Sequence, residues 1–252
     1  MSTFLGGKLF RYYSCCDEDH IDYVRQVIID SKLYFNSPMQ FNDPFDCKIE
    51  GLRFSEESFM SFFRQRYSFL TDEQFNESFR CNLDRYKSMC DEAINGLQNL
   101  VNEQFSVLCM SSTKDNIMMY SHYADKHQGV CLEFTLPANN RLQPEKVEYV
   151  EEFPEPPFAE EGEELRQLAV ALLTTKAKFW DYENEYRSLK PSPAGYLTYP
   201  PEYLTGIIFG CKTTQETKDS LYEIVRSSSR QIDFYQAQPS KANFSLDIML
   251  LP

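Results

Sequence analysis

The chain has 252 residues, of which 42% are hydrophobic and 15% aromatic, so it can bury a substantial core and is not a disordered protein. Its formal net charge is −13 and no basic run is present, which disfavours DNA or RNA binding through a broad charged face. A small, anionic, nucleotide-like ligand held by one or two arginines is compatible with this charge.

No stretch reaches the ~20 apolar residues of a membrane span, and the first ten residues lack the apolar region of a signal peptide. We therefore expect a cytoplasmic protein without a membrane partner. Eight cysteines are present, but none forms a C-x-x-C pair or has zinc-finger spacing to a histidine. We expect neither a metal site nor a disulfide scaffold.

The first half of the chain predicts a strand at 8–14, a helix at 17–31, a strand at 32–38, a helical segment at 55–104, a strand at 105–112 and a short helix at 115–126. In the helical segment, "TDEQ" at 71–74 has the spacing of a capping box. Asp115 is the expected N-cap of the short helix.

The second half predicts strands at 129–136 and 145–150, a proline-rich acidic loop at 153–164, a helix at 164–180, extended chain at 183–190, a strand within 200–210, a helix at 214–228 and strands at 231–238 and 244–250. This order is typical of an α+β fold with a mixed, largely antiparallel sheet rather than a doubly wound one. We expect residues 1–252 to form one domain, with 55–104 as a helical insertion within it.

Five motifs occur in chain order: "LFRYYS", "LYFNSPMQFNDPFDC", "MMYSHYADKHQGVCLEF", "KAKFWDYENEYR" and "IIFG". Together they resemble the bacterial family catalogued as domain of unknown function 2971, over positions 8 to about 215. No secure activity can be transferred from that family to this chain. The association of its members with genome defence and mobile elements implies a phage-defence or toxin setting.

The opening strand, helix, strand and loop also resemble the start of an ADP-ribosyltransferase fold. Arginine-type members of that superfamily share an arginine on the first strand, a Ser/Thr-rich strand end and a Glu-x-Glu before a strand. The matching positions here are Arg11, "SST" at 111–113 and "ENE" at 183–185. The aromatic and glycine neighbours usual around the serine motif are missing. The resemblance implies NAD as substrate.

Two carboxylates are the candidate catalytic pair. On a strand, Glu183 and Glu185 face the same side, so one can stabilise an oxocarbenium-like centre while the other positions a nucleophile. We favour Glu185. The alternative is an acidic pair on the exposed face of an edge strand, bonded to Lys178 or Arg187.

The first strand and the serine motif supply candidate ligand-binding groups. Arg11 can hold a pyrophosphate bidentately, with Tyr12 beside it; the alternative for Arg11 is a surface or carboxylate-paired role. Ser111 and Ser112 can orient a ribose or a glutamate, or they can cap the following helix.

The segment "NIMMYSHYADKHQG" supplies a second group. His122 can act as acid or base, and Tyr120 or Tyr123 can stack on a planar ring. All three can equally be packing residues on the sheet. His122 and His127 are five residues apart, which is a poor spacing for two metal ligands on one helix.

The motif "FNDPFD" forms a stiff turn at 41–46. Its Asn42 and Asp43 can point into a cleft and bind a cofactor, or they can serve as a structural latch.

Two classes of function follow. The first is an NAD-using ADP-ribosyltransferase or NAD glycohydrolase acting as a defence or toxin effector, with a protein, a nucleic acid or water as target. The second is a non-enzymatic interaction module of a phage-defence or toxin–antitoxin system, with a protein partner. A nuclease is disfavoured by the charge.

Overall fold

The computed structural model describes residues 4–48, 56–153, 163–228 and 230–252. The helices are α1 (Glu18–Asp30), α2 (Glu56–Arg66), α3 (Asp72–Gln104), α4 (Ile117–Tyr123), α5 (Glu163–Leu173) and α6 (Gln215–Ser227). The strands are β1 (Gly7–Tyr13), β2 (Lys32–Phe35), β3 (Ser106–Ser111), β4 (Val130–Leu136), β5 (Glu145–Lys146), β6 (Glu148–Val150), β7 (Thr175–Ala177), β8 (Glu185–Lys190), β9 (Gly195–Thr198), β10 (Leu204–Phe209), β11 (Asp233–Pro239) and β12 (Leu246–Leu250). Short 3-10 turns cover Pro38–Gln40, Lys178–Glu183 and Pro201–Tyr203.

The main sheet has eight strands in the order β12-β11-β10-β4-β1-β3-β8-β5. Its strand pairs are antiparallel except for β10 with β11, which is parallel. The predicted α+β class with a mixed, largely antiparallel sheet is therefore confirmed. Two short ladders, β2-β9 and β6-β7, lie outside this sheet.

The centre of the sheet is only loosely joined between β1 and β3. β1 pairs with β4 along all of its residues from Gly7 to Tyr13, but it shares only the Phe10–Ser111 ladder pair with β3. Arg11 fills part of the space, because its Nη1 donates a hydrogen bond to the Cys109 carbonyl at 2.7 Å. This opening positions the candidate site described below.

The two faces of the sheet carry separate cores, as the alternation of side chains along a strand requires. From β1, Leu9 and Tyr13 join the cluster that packs against α1 and α6. Phe10 and Tyr12 join the opposite cluster, which includes Tyr120 of α4.

The predicted helical segment at 55–104 contains α2 and α3, while residue 55 lies outside the described part of the chain. Thr71 caps α3 and forms the predicted capping box with Gln74, because each side chain accepts from the other's backbone. An aromatic cluster around Phe63 and Phe79 joins the two helices. The C-terminal part of α3 instead packs through Val101 against α5. That residues 1–252 form one domain stays a prediction.

Three predictions about elements were wrong. The expected helix at 164–180 ends at Leu173, because the chain turns into β7, which pairs in parallel with β6. The expected strand at 145–150 is divided at Val147, whose N–H bonds to the Glu185 carbonyl. The N-cap of α4 is Asn116 rather than Asp115, since Asn116 Oδ1 accepts hydrogen bonds from the backbone N–H groups of Met118 and Met119.

The sequence interpretation did not include strand β9. The predicted loop at 153–164 falls mostly on residues outside the described ranges. Within those ranges, no helix combines the length and apolar composition that crossing a bilayer demands.

Candidate functional site

A cavity of about 410 Å³ opens where β1 and β3 part, and we call it the β1–β3 cavity. Its size lies in the range of small-molecule sites. The sequence candidates that line it are Arg11, Tyr12, Asn42, Ser111, His122, Tyr123, Glu183 and Glu185. The structure thus brings together side chains that are separated by up to 174 positions in the chain. Their chemical roles stay predictions.

Three other candidates lie elsewhere. Ser112 is exposed, and its hydroxyl donates to the Asn184 carbonyl at 3.3 Å. Tyr120 is fully buried in the core beneath α4, with its ring 5.0 Å from that of Tyr12, so no surface is left for stacking on a ligand. Asp43 lines a separate cavity of about 290 Å³.

An ion-pair network forms the floor of the β1–β3 cavity. Arg187 is fully buried and binds two carboxylates at once. Its Nη1 and Nη2 donate to Asp46 at 2.9 and 2.6 Å. Its Nε and Nη2 donate to Glu185 at 2.9 and 3.0 Å. Such bidentate pairs fix both partners, so Glu185 is held by Arg187 rather than presented to a ligand.

Glu183 occupies a different position in the same network. Its Oε1 accepts from the Tyr123 hydroxyl at 2.7 Å, and its Oε2 accepts from Lys176 Nζ at 2.5 Å. Lys176 also donates to Glu185 at 3.2 Å. Two donors at the two oxygens are the pattern of an ionised carboxylate. Glu183 therefore joins the tyrosine of the cavity wall to the buried charges behind it.

The two glutamates meet for a different reason from the one predicted. They are not neighbours on one face of a strand, because Glu183 ends a 3-10 turn and Glu185 begins β8. Asn184 between them has a left-handed backbone with φ of 45° and ψ of 50°. This turn directs both carboxylates toward Lys176. The expected alternative was also wrong in part: both glutamates are buried, and Lys178 pairs with Glu151 instead.

The network separates the proton affinities of the two glutamates. Burial opposes ionisation of Glu185, but Arg187 and then Lys176 outweigh it and lower the pKa of Glu185 to about 2. Burial raises the pKa of Glu183 above its ordinary value, and Lys176 only partly offsets that effect. For Lys176, burial is outweighed by Glu185, Glu183 and Asp46, which hold its pKa above the ordinary value. Of the two carboxylates, Glu183 is therefore the one that binds a proton more readily.

Ser111 and Arg11 also line the β1–β3 cavity. The Ser111 hydroxyl donates to the Glu183 carbonyl at 2.6 Å and accepts from the Thr113 N–H at 3.0 Å, so it fixes the turn rather than capping α4. Arg11 lies 5.4 Å from the centre of the Tyr13 ring. It supplies positive charge to the cavity lining.

Aromatic rings surround His122. Its imidazole lies 6.2 Å from the Tyr123 ring, 6.5 Å from Trp180 and 6.4 Å from Tyr182, measured between ring centres. This wall can accept a planar group.

One group of potential metal ligands exists among the described residues. Cys16, Asp17 and His20 have ligand atoms within 4.8 Å of one another, and all three are exposed. Asp17 is already used as the N-cap of α1. The three residues therefore have a structural explanation without an ion.

Sequence reasoning missed Asp46 and Lys176 as members of the site, and it considered Arg187 only as a partner of an exposed acidic pair, whereas Arg187 binds the buried Glu185. Asp46 stands in "FNDPFDC", and the two basic residues stand in "KAKFWDYENEYR", so all three were within the motifs that were quoted. Their local patterns gave no signal of burial, since Asp46 lies in a turn and Lys176 and Arg187 lie on short strands, each beside a polar residue. Lys and Arg are rarely buried unless they are paired.

Residues 119–188 match the model of a family described as DUF2971, a protein of unknown function. The match supports the predicted resemblance over a shorter stretch than 8–215. No curated protein and no solved structure matches significantly, so the ADP-ribosyltransferase resemblance gains no support. The matched stretch contains His122 of the cavity wall and most of the ion-pair network: Tyr123, Lys176, Glu183, Glu185 and Arg187.

Proposed function

We propose that the β1–β3 cavity binds NAD and that the protein is an NAD-consuming enzyme, an ADP-ribosyltransferase or an NAD glycohydrolase. The observation that carries this proposal is Glu183, a buried carboxylate on the cavity wall whose oxygens are held by Tyr123 and Lys176. The chemistry of NAD cleavage requires an anion beside a developing positive charge, and the network supplies one.

The remaining walls fit the other parts of a dinucleotide. Arg11 offers a guanidinium for phosphate, and the rings near His122 offer a surface for a planar base. Asn42 supplies an amide for ribose hydroxyls or the carboxamide. NAD is larger than the enclosed volume of about 410 Å³, so part of it extends through the open mouth.

In the proposed reaction, the bond between ribose C1′ and the nicotinamide nitrogen breaks, and both electrons leave with nicotinamide. The ionised Glu183 stabilises the cationic ribose. Water or a target nucleophile forms the new bond to C1′ and loses a proton, so that water gives ADP-ribose, nicotinamide and a proton. Glu183, rather than the originally favoured Glu185, takes the catalytic role, because Glu185 is tied to Arg187.

The test is nicotinamide release from NAD by wild type and by Glu183→Gln. Glutamine keeps an acceptor for Tyr123 but has no charge, so turnover should fall by about 10²–10³-fold, as when one electrostatic stabiliser is lost. NAD binding should persist, measured as a thermal shift. At a hundred times the dissociation constant, bound ligand stabilises the fold by about 2.7 kcal/mol.

Ser112→Ala is the matched control, because this exposed hydroxyl does not line the cavity. It should release nicotinamide at the wild-type rate. The proposal fails if wild type neither releases nicotinamide with any acceptor nor shows a thermal shift with millimolar NAD or ADP-ribose.

A second function is favoured by one observation. Both oxygens of Glu183 already accept hydrogen bonds from the protein, which suits a rigid binding site as well as a catalytic one. In this case the cavity holds a nucleotide-like molecule without turnover, within an interaction module of a defence or toxin–antitoxin system. A thermal shift with ADP-ribose but no nicotinamide release from NAD would select it.

A further inference from the structure

A second cavity, of about 290 Å³, lies beside the first and shares Lys176 with it. We call it the aromatic cavity, because Phe45, Phe153, Phe179 and Trp180 line it. Three of these rings are open to solvent: Phe45 is 63% exposed, Phe153 46% and Phe179 91%. Clustered apolar rings that face water indicate a surface that contacts another molecule.

The wall of the aromatic cavity contains a buried carboxylate with an unused oxygen. Asp43 is only 6% exposed. Its Oδ1 accepts from the Phe45 N–H at 2.9 Å, whereas its Oδ2 has no hydrogen-bond partner among the described residues. A buried carboxylate oxygen without a donor is costly, so a ligand that brings a donor is stabilised there.

The charges around this oxygen favour a cation. Asp43 and Glu152 place two negative charges in this lining against one positive charge from Lys48. Glu151 also lines the cavity, but its charge is paired with Lys178. Lys176 does not offset Asp43, because its ammonium is engaged by Glu183 and Glu185.

We infer that the aromatic cavity binds the guanidinium of an arginine side chain. A guanidinium is planar, stacks on aromatic rings and donates hydrogen bonds through its N–H groups. It can therefore stack on the rings of this cavity and donate a hydrogen bond to Asp43 Oδ2 at the same time. A quaternary ammonium has no N–H to offer this oxygen. A lysine ammonium is more strongly hydrated and does not stack in the same way.

The arginine is presented by a polypeptide. Phe45 and Phe179 line the cavity and are largely exposed, so the residues that flank the arginine can pack on their rings. The inference does not depend on NAD cleavage in the β1–β3 cavity.

The sole tryptophan of the chain, Trp180, lines the aromatic cavity and reports on binding by its fluorescence. The probe is the blocked peptide acetyl-Ala-Leu-Arg-Leu-Ala-amide, titrated into the full chain. The comparison peptides carry citrulline, which has a neutral group of the same shape, or lysine in place of arginine. The arginine peptide should bind at least tenfold more tightly than either.

Asp43→Asn should weaken binding of the arginine peptide at least tenfold, because it removes the charge while keeping an acceptor for the Phe45 N–H. Asp247→Asn makes the same change at an exposed position on β12 and should leave binding unchanged. Phe179→Ala should also weaken binding, and it should not impair folding because this ring is exposed. Equal binding of the citrulline peptide, or unchanged binding by both cavity variants, would overturn the inference.

Discussion

Arg187 is the residue on which the candidate site depends most. Its side chain is fully buried, yet its nitrogens reach Asp46, Glu185 and the Leu173 carbonyl. Asp46 is 141 positions from Arg187 in the chain, so Arg187 ties a distant segment to β8 at the cavity floor. A buried ion pair contributes little net stability compared with an apolar core, but removal of one partner is strongly destabilising.

Arg187→Met should therefore lower the free energy of unfolding by about 3–5 kcal/mol, because Asp46 and Glu185 lose their main partner. Urea unfolding monitored by circular dichroism measures this change. Arg25→Met is the control, since Arg25 is exposed and pairs with Asp22 at 3.5 Å. It should cost less than about 1 kcal/mol. Equal losses in the two variants would contradict the role given to Arg187.

At this scale, the sequence pointed to Glu183 and His122, and both line the β1–β3 cavity; their chemical roles stay predictions. It was insufficient for Lys176 and Arg187, because a basic residue in extended chain is normally solvated. Only the fold reveals that both are enclosed by carboxylates from other segments.

Among the elements, the turn at Asn184 decides how the two glutamates are placed. Its left-handed conformation, with φ of 45°, lets the chain pass from the 3-10 turn into β8 while Glu183 and Glu185 both reach Lys176. Asparagine adopts this conformation more readily than most residues, whereas β-branched residues are strained in it.

Asn184→Val should consequently destabilise the fold by about 1–3 kcal/mol and reduce nicotinamide release, because the backbone strain displaces Glu183. Asn184→Gly also removes the side-chain amide, but glycine adopts the left-handed conformation without strain. The free energy of unfolding of this variant should therefore stay within about 1 kcal/mol of the wild-type value. Denaturant unfolding and turnover of the two variants provide the comparison. If glycine were as damaging as valine, the amide rather than the backbone angle would be responsible.

Elements with a local signal could be predicted, and those that depend on distant partners could not. The capping box of Thr71 and Gln74 is encoded within four residues and fixes the start of α3. The three-residue strand β7 exists because it pairs with β6, and that partner cannot be read from a helical pattern at 164–180. Local propensity is overridden in this case by pairing.

At the scale of the whole molecule, the cavity is assembled from segments that are distant in the chain, between residues 10 and 185. β1 contributes Arg11, α4 contributes His122 and the turn before β8 contributes Glu183. The α+β class followed from the order of the elements. The position of β1 between β4 and β3, and hence the opening beside it, is a property of sheet order that periodicity does not specify.

The network also links global stability to pH. The pKa of Glu185 is about 2 in the folded protein against an ordinary value of 4.5. A carboxyl with a lowered folded pKa stabilises the fold above its unfolded pKa, and that contribution is lost as the pH falls toward the folded pKa. A difference of this size corresponds to about 3 kcal/mol. Glu183, whose pKa is raised by burial and in part by the charge of Glu185, acts in the opposite direction.

The stability advantage of wild type over Glu185→Gln should therefore shrink by up to about 3 kcal/mol between pH 5 and pH 2. Urea unfolding at a series of pH values measures both proteins under identical conditions. Asp247→Asn, which alters an exposed carboxyl on β12, should show a difference from wild type that barely changes with pH. An advantage of wild type that persisted at pH 2–3 would mean that Arg187 and Lys176 do not hold Glu185 ionised in the folded protein.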